Sequence, residues 1–213
     1  EFREFAKGTT FAFHPDINNQ DDVAWTDWLG TGCEDSEADI VYFDGDEQRR
    51  LTEGQYNHQS PAINDVGDIA FTRYDFCLDP WVSEIMHCRN GVATVLPRLG
   101  DYPQGPDVNN VDEVVWDSLG YGNEYMIERW RDGVVEQIAK PALLPLIDDF
   151  GRIVFSTTTG QAYLYADGKI TQITFEDEPT AAHAINEAGE IVLRQRPFPF
   201  GQLLIMRRAR TGD

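Results

Sequence analysis

Ser60-Pro61-Ala62-Ile63-Asn64-Asp65-Val66-Gly67-Asp68-Ile69-Ala70-Phe71-Thr72 is the stretch on which the chain is built, because it recurs. Pro15-Asp16-Ile17-Asn18-Asn19-Gln20-Asp21-Asp22-Val23-Ala24-Trp25 and Pro106-Asp107-Val108-Asn109-Asn110-Val111-Asp112-Glu113-Val114-Val115-Trp116 keep its order of residue types. So do Pro145-Leu146-Ile147-Asp148-Asp149-Phe150-Gly151-Arg152-Ile153-Val154-Phe155 and His183-Ala184-Ile185-Asn186-Glu187-Ala188-Gly189-Glu190-Ile191-Val192-Leu193. Five copies in 213 residues define a repeat protein. A spacing of roughly 40 residues suits units that bury their apolar faces only against one another.

Each copy reads as a short apolar strand, a tight turn and a β-rich strand. The turn opens on Asn18, Asn64, Asn109, Asp148 or Asn186, whose short side chains can bond their own backbone two residues on. Three residues later stands Asp21, Gly67, Asp112, Gly151 or Gly189. That choice marks a left-handed backbone site, free to Gly and tolerated by Asp.

A hairpin follows each of the first four copies, around Asp44-Gly45, Asn90-Gly91, Asp132-Gly133 and Asp167-Gly168. Such dipeptides between alternating runs are the strongest short-range hairpin signal. Every repeat thus supplies four strands, the content of one propeller blade. After the last copy, Gln202 to Arg208 form a third strand with no hairpin partner behind it, and Glu1 to Phe13 read as the missing outer strand. The expected fold is all-β: a five-bladed β-propeller of four-stranded antiparallel blades. The N-terminal strand completes the C-terminal blade and closes the ring, which removes open sheet edges. The whole chain is one domain, with repeat cores near 15–52, 61–97, 106–140, 145–175 and 183–208 plus 1–13. Trp25, Phe71, Trp116, Phe155 and Leu193 are expected to fill the interfaces between blades.

With 37 acidic against 17 basic residues, the formal net charge is −20. That argues against nucleic acid, whose binding depends on neutralising phosphates. No apolar run approaches the roughly 18 residues of a membrane span, no signal peptide is read, and a soluble monomer is expected. Three cysteines are present. Either a Cys77–Cys88 disulfide within the second blade or a Cys33–Cys77 bridge between blades is sterically open, and either would place the protein outside the cytoplasm.

The Asn-led and Asp-Gly turns share one face and are short. The other face carries long, irregular loops, where binding residues concentrate. Trp28, Tyr74, Trp81 and Tyr121 lie there among Asp, Asn and Gln. Aromatic faces with carboxylates and amides beside them are what a pyranose requires. His14, His58 and His183 fall at or just before the first strand of a blade, which places them near the channel mouth as a possible metal or acid–base cluster. No HxH or HExxH spacing supports a metal there. Calcium is also weighed at Asp16–Asp22 and Asp107–Glu113. The fifth position of a calcium loop is Gln20 or Val111 there, so a structural turn is the better reading and no cofactor is expected. There is no phosphate loop, GxSxG elbow or CxxC pair.

The Ile-Asn-x-x-Gly-x-Ile-x-Phe pattern of Ile63–Phe71 resembles repeats of bacterial secreted and surface propeller proteins. The five-blade count is similar to that of tachylectin-type lectins, which implies an extracellular or periplasmic, lectin-like module that binds carbohydrate. Three functions stay open. One is a module recognising a glycan or other surface ligand through the long-loop face, with Trp28, Tyr74, Trp81, Tyr121, His58 and His183 as ligand contacts. The second is a polysaccharide hydrolase or lyase at the channel mouth. The third is a protein-interaction scaffold.

Overall fold

The structure, a computed structural model, describes residues 11–28, 37–54, 56–78, 81–175, 180–195 and 202–206. Nineteen strands lie within them, grouped repeat by repeat. The first repeat gives β1 (Phe11–Ile17), β2 (Val23–Trp28), β3 (Ala38–Phe43) and β4 (Gln48–Arg50). The second gives β5 (Asn57–Ile63), β6 (Ile69–Asp75), β7 (Val82–Arg89) and β8 (Val92–Val95). Then come β9 (Asp101–Val108), β10 (Val114–Gly120), β11 (Glu124–Arg131) and β12 (Val134–Ala139). The fourth repeat holds β13 (Leu143–Ile147), β14 (Ile153–Ser156), β15 (Ala162–Ala166) and β16 (Lys169–Gln172). The fifth holds β17 (Thr180–Ile185), β18 (Ile191–Gln195) and β19 (Gln202–Met206). Strands within a repeat pair antiparallel in chain order. The third and fourth repeats are separate four-stranded sheets and the fifth a three-stranded one. The first two join into one eight-stranded sheet through a single parallel pair, Ala38 with Asn57.

The turns follow from local chemistry. Asn64 Oδ1 accepts from the amides of Val66 and Asp68 at 3.1 and 2.8 Å. Asn18, Asn109 and Asp148 each accept two amides in the same way. The left-handed site is present in all five copies, with φ of 64° at Asp21, 81° at Gly67, 67° at Asp112, 69° at Gly151 and 75° at Gly189. At Asn90-Gly91, Asp132-Gly133 and Asp167-Gly168 both residues have positive φ, the type I′ hairpin geometry. Asp44-Gly45 differs: the Asp44 amide donates to the Glu47 carbonyl, closing a longer loop.

The core lies in the seams between repeats. Phe71 packs with Ala24, Ile40 and Tyr42 of the preceding repeat. Trp116 packs with Ala70 and Ile85, Phe155 with Val115 and Ile127, and Leu193 with Val154 and Ala162. Trp116 is wholly buried, and each such side chain contributes about 1.5–3 kcal/mol relative to exposure. Trp25 is buried as well.

Polar straps cross the same seams. Asn18 Nδ2 donates to the Asn64 carbonyl, Asn64 Nδ2 to that of Asn109, and Asn109 Nδ2 to that of Asp148. Asp148 has no amide to donate. Arg152 takes the role instead, bonding the Asp148 carboxylate and reaching the Glu187 carbonyl at 2.9 Å.

Two expectations change. Cys88 is buried as a free thiol, so the Cys77–Cys88 disulfide is not formed. The register pairs Cys88 with Ile69 and Val82 with Asp75. Cys88 therefore lies six residues down the sheet from Asp75, about 20 Å at the strand rise, far beyond the roughly 7 Å a bridge allows between Cα atoms. Cys33 lies outside the described residues. In addition, Phe11, Ala12 and Phe13 belong to β1, opposite Trp28, Asp27 and Thr26, and so are not part of an outer strand. The remainder of the expected closing strand, residues 1–10, lies outside the described residues.

Candidate functional sites at the channel and the loop rim

The first strands of all five repeats face a common channel. Toward the short-turn end it widens to about 310 Å³, and toward the other end to about 530 Å³. Asp16, Asp107, Leu146 and His183 touch both spaces. Each of the first four inner strands bulges at the residue before its proline. His14, Ser60, Gly105 and Leu144 all have φ between 49° and 56° there, a conformation that proline ordinarily disfavours in its predecessor. The bulge breaks the alternation and turns the prolines into the channel.

Two carboxylates meet in this space. Asp16 Oδ2 accepts the Ile63 amide at 2.8 Å, and Asp107 Oδ2 the Ile147 amide at 2.7 Å, so each ties its repeat to another. Burial raises both carboxyls. Asp107 is pushed up to about 7, by burial first and then by the negative charge of Asp16, against the amides that favour its ionised form.

The three histidines do not gather. His14 is exposed on the channel, with Nδ1 3.3 Å from Ser60 Oγ, and burial lowers its pKa. His183 is exposed where the channel meets a cleft of about 420 Å³ beside Thr157, Thr159 and Arg194. His58 is buried in the seam between the first two repeats. Its Nδ1 lies 3.2 Å from the Ala38 carbonyl and 3.5 Å from Asp39 Oδ1, and its ring meets Phe71 edge-on. It starts β5 beside the Ala38–Asn57 pair, so it faces the neighbouring repeat and not the channel. Asp39 also accepts from Arg50 and Thr52. Burial would raise the Asp39 carboxyl, but the His58, Arg50 and Thr52 donors outweigh it and hold it below its ordinary value.

At the long-loop end the aromatics divide. Tyr74 and Trp81 come together with Phe76 and Tyr102. Tyr74 stacks on Phe76 at 5.1 Å, and Trp81 lies 6.0 Å from each and 4.4 Å from Tyr102. Phe76 and Trp81 are each 38% exposed, so the cluster offers ring surface to solvent. Burial raises the Tyr74 phenol, with a smaller push from Asp117, whose carboxylate holds Gln104 at 3.1 Å. Trp28 stands apart, half-buried against Phe13 at 6.2 Å, and Tyr121 is fully exposed. Phe76 and Tyr102 were not singled out in the sequence, although both border the same loops. The fourth histidine, His87, was not singled out either, and it meets Asp68 and Asp112 on the short-turn side. Among the described residues that trio is the one group whose atoms converge as metal ligands would.

The fold defines a β-propeller. Its neighbours among solved structures carry that fold. The β-propeller domain of the Trilobed protease from Pyrococcus furiosus, described as having an open velcro topology, is 16% identical with a TM-score of 0.69, over 94% of this chain and 70% of that one. Hydrazine synthase of Kuenenia stuttgartiensis gives 11% identity and a TM-score of 0.66 over 93% and 37%. TolB of Acinetobacter baumannii gives 14% and 0.58 over 92% and 54%. The chain thus spans well under two thirds of these last two proteins. No family model matches the sequence, nor does any curated protein. Among the described residues no helix is long and apolar enough to cross a membrane.

Proposed function

We propose that the protein is a five-bladed propeller whose N-terminal segment completes the last blade, and that it acts as a binding module for a glycan or similar surface ligand. The carrying observation is the exposed ring cluster of Tyr74, Phe76, Trp81 and Tyr102 on the loop rim. Trp81 and Phe76 present apolar ring surface, while Gln104, half-buried and held by the buried Asp117 carboxylate, offers its amide carbonyl as a hydroxyl partner. A sugar uses that combination: one face stacks on the ring and an edge hydroxyl bonds the amide. Trp28 and Tyr121 stay in the proposal as separate rim contacts, and His183 as one at the channel mouth. His58, buried in its seam, leaves the ligand set. An extracellular or periplasmic setting belongs to this reading, although the free Cys88 thiol removes the Cys77–Cys88 disulfide, one of the two that would have favoured it. The test is a glycan array with calcium and again with chelator, repeated with Trp81→Ala. Selective binding lost in the variant supports the reading, and a blank array rejects it.

One observation favours a second reading, a hydrolase or lyase at the channel. An Asp107 carboxyl raised to about 7 is tuned for proton transfer near neutrality, and His14 and Ser60 stand on the same channel. Polysaccharide cleavage that vanishes in Asp107→Asn would establish it. Full activity in that variant excludes Asp107.

A further inference from the structure

We propose a divalent transition-metal site between the second and third repeats, with Asp68 Oδ2, His87 Nε2 and Asp112 Oδ1 as ligands. These three atoms lie within 4.8 Å of one another. All three are buried and none has a hydrogen-bond partner. The His87 and Asp68 side chains are only 6% and 5% exposed. A buried polar atom without a partner costs about 1–3 kcal/mol. Three aimed at one point are what an absent cation would satisfy.

The other seams show that this arrangement is not the default of the repeat. The register places Tyr42 opposite Ala24, His87 opposite Ala70, Arg129 opposite Val115 and Leu164 opposite Val154. Matching trios are therefore Asp22–Tyr42–Gly67, Asp68–His87–Asp112, Glu113–Arg129–Gly151 and Arg152–Leu164–Gly189. In the first, Tyr42 bonds Asp22. In the third, Glu113 is paired by Arg131 at 3.2 Å. In the fourth, Arg152 reaches across to the Glu187 carbonyl. Of these four trios, the second alone leaves Oδ2, Nε2 and Oδ1 of its three side chains without a hydrogen bond, with Arg89 as its ion-pair neighbour. Asp68 differs from its counterparts too: Asp22, Glu113 and Glu190 accept from the Asn that leads their own turn, whereas Asp68 Oδ2 faces His87 and Asp112. Asp112 does so from a left-handed backbone, φ 67°, where three of the five repeats carry glycine.

One imidazole nitrogen with two carboxylate oxygens suits Zn²⁺ or a similar first-row ion, with water completing the shell, and does not suit calcium, which takes oxygen ligands alone. Arg89 is the competing cation. It holds Asp112 Oδ2 at 2.6 Å and comes within 3.4 Å of Asp68 Oδ2. Half-exposed as it is, it can swing outward when a metal enters.

The test titrates the full chain with Zn²⁺ and with Ca²⁺ by calorimetry and follows thermal melting. One equivalent of Zn²⁺ is expected to bind and raise the melting temperature, with no response to Ca²⁺. Asp112→Gly places there the residue that three other repeats carry, so that variant should melt no lower than the parent in chelator yet bind Zn²⁺ at least 10-fold more weakly. His87→Ala should lose binding similarly. Arg89→Ala should tighten it. Absence of stoichiometric Zn²⁺ binding by the parent overturns the proposal, as does a response to Ca²⁺ alone. Unchanged affinity in Asp112→Gly also overturns it, since the ion would then sit at surface histidines such as His14 or His183.

Discussion

Asn64 Nδ2 donates to the carbonyl of Asn109, 45 residues ahead, over 2.9 Å. The same side chain closes its own turn through Oδ1. One amide therefore fixes a local turn and a distant seam together, which explains why the repeat prefers Asn over other turn formers.

Asn64→Asp tests that double role. The acceptor for Val66 and Asp68 survives while the donor is lost, leaving the buried Asn109 carbonyl without its strap. We expect a loss of about 1–2 kcal/mol, and about 2–4 kcal/mol for Asn64→Ala, which also opens the turn. Urea unfolding measures both, and equal costs would show that only the turn matters.

Glycines at the left-handed site should differ in how they tolerate alanine. At Gly67 a Cβ meets nothing within 4 Å, so only the backbone cost of φ 81° applies, about 1 kcal/mol. At Gly189 it would stand 2.7 Å from Arg152 Nη1 and displace the arginine that straps the last seam. Gly189→Ala should therefore cost about 1–2 kcal/mol more than Gly67→Ala, read by thermal or urea melts.

Asp107 gives stability a definite dependence on pH. Its carboxyl titrates near 3.8 when unfolded and at about 7 when folded, so between these values the folded chain keeps a proton that the unfolded chain has released. Stability then falls as pH rises through this window, with a slope of at most about 1.4 kcal/mol per pH unit, and levels off above it. Asp107→Asn should remove that fall and be the more stable protein at pH 8. Parallel pH profiles for the two proteins would refute the assignment.

Trp81→Ala should leave the chain folded, because the ring is 38% exposed, while removing the stacking surface shared with Tyr102. Ligand affinity should fall at least 10-fold by calorimetry, with stability to unfolding weakened by about 1–3 kcal/mol for the buried part of the ring. Tyr121→Ala, at a fully exposed position away from the cluster, provides the comparison.

The four-strand order within the second, third and fourth repeats, the five left-handed turns and the three type I′ hairpins were legible in the sequence, because each depends on residues close together in the chain. The seam side chains Phe71, Trp116, Phe155 and Leu193 were legible too, since the repeat itself marks them. Tertiary structure decided the rest. Cys88 was placed far from Cys77 by sheet register, His58 was turned into a seam by a single parallel pair, and the Pro bulges opened the inner strands onto the channel. Asp68, His87 and Asp112 sit up to 44 residues apart and read singly as two turn residues and a strand residue. Their convergence exists only when one repeat packs on the next, because the side chains that answer one another across a seam are chosen by the neighbour and not by the local chain.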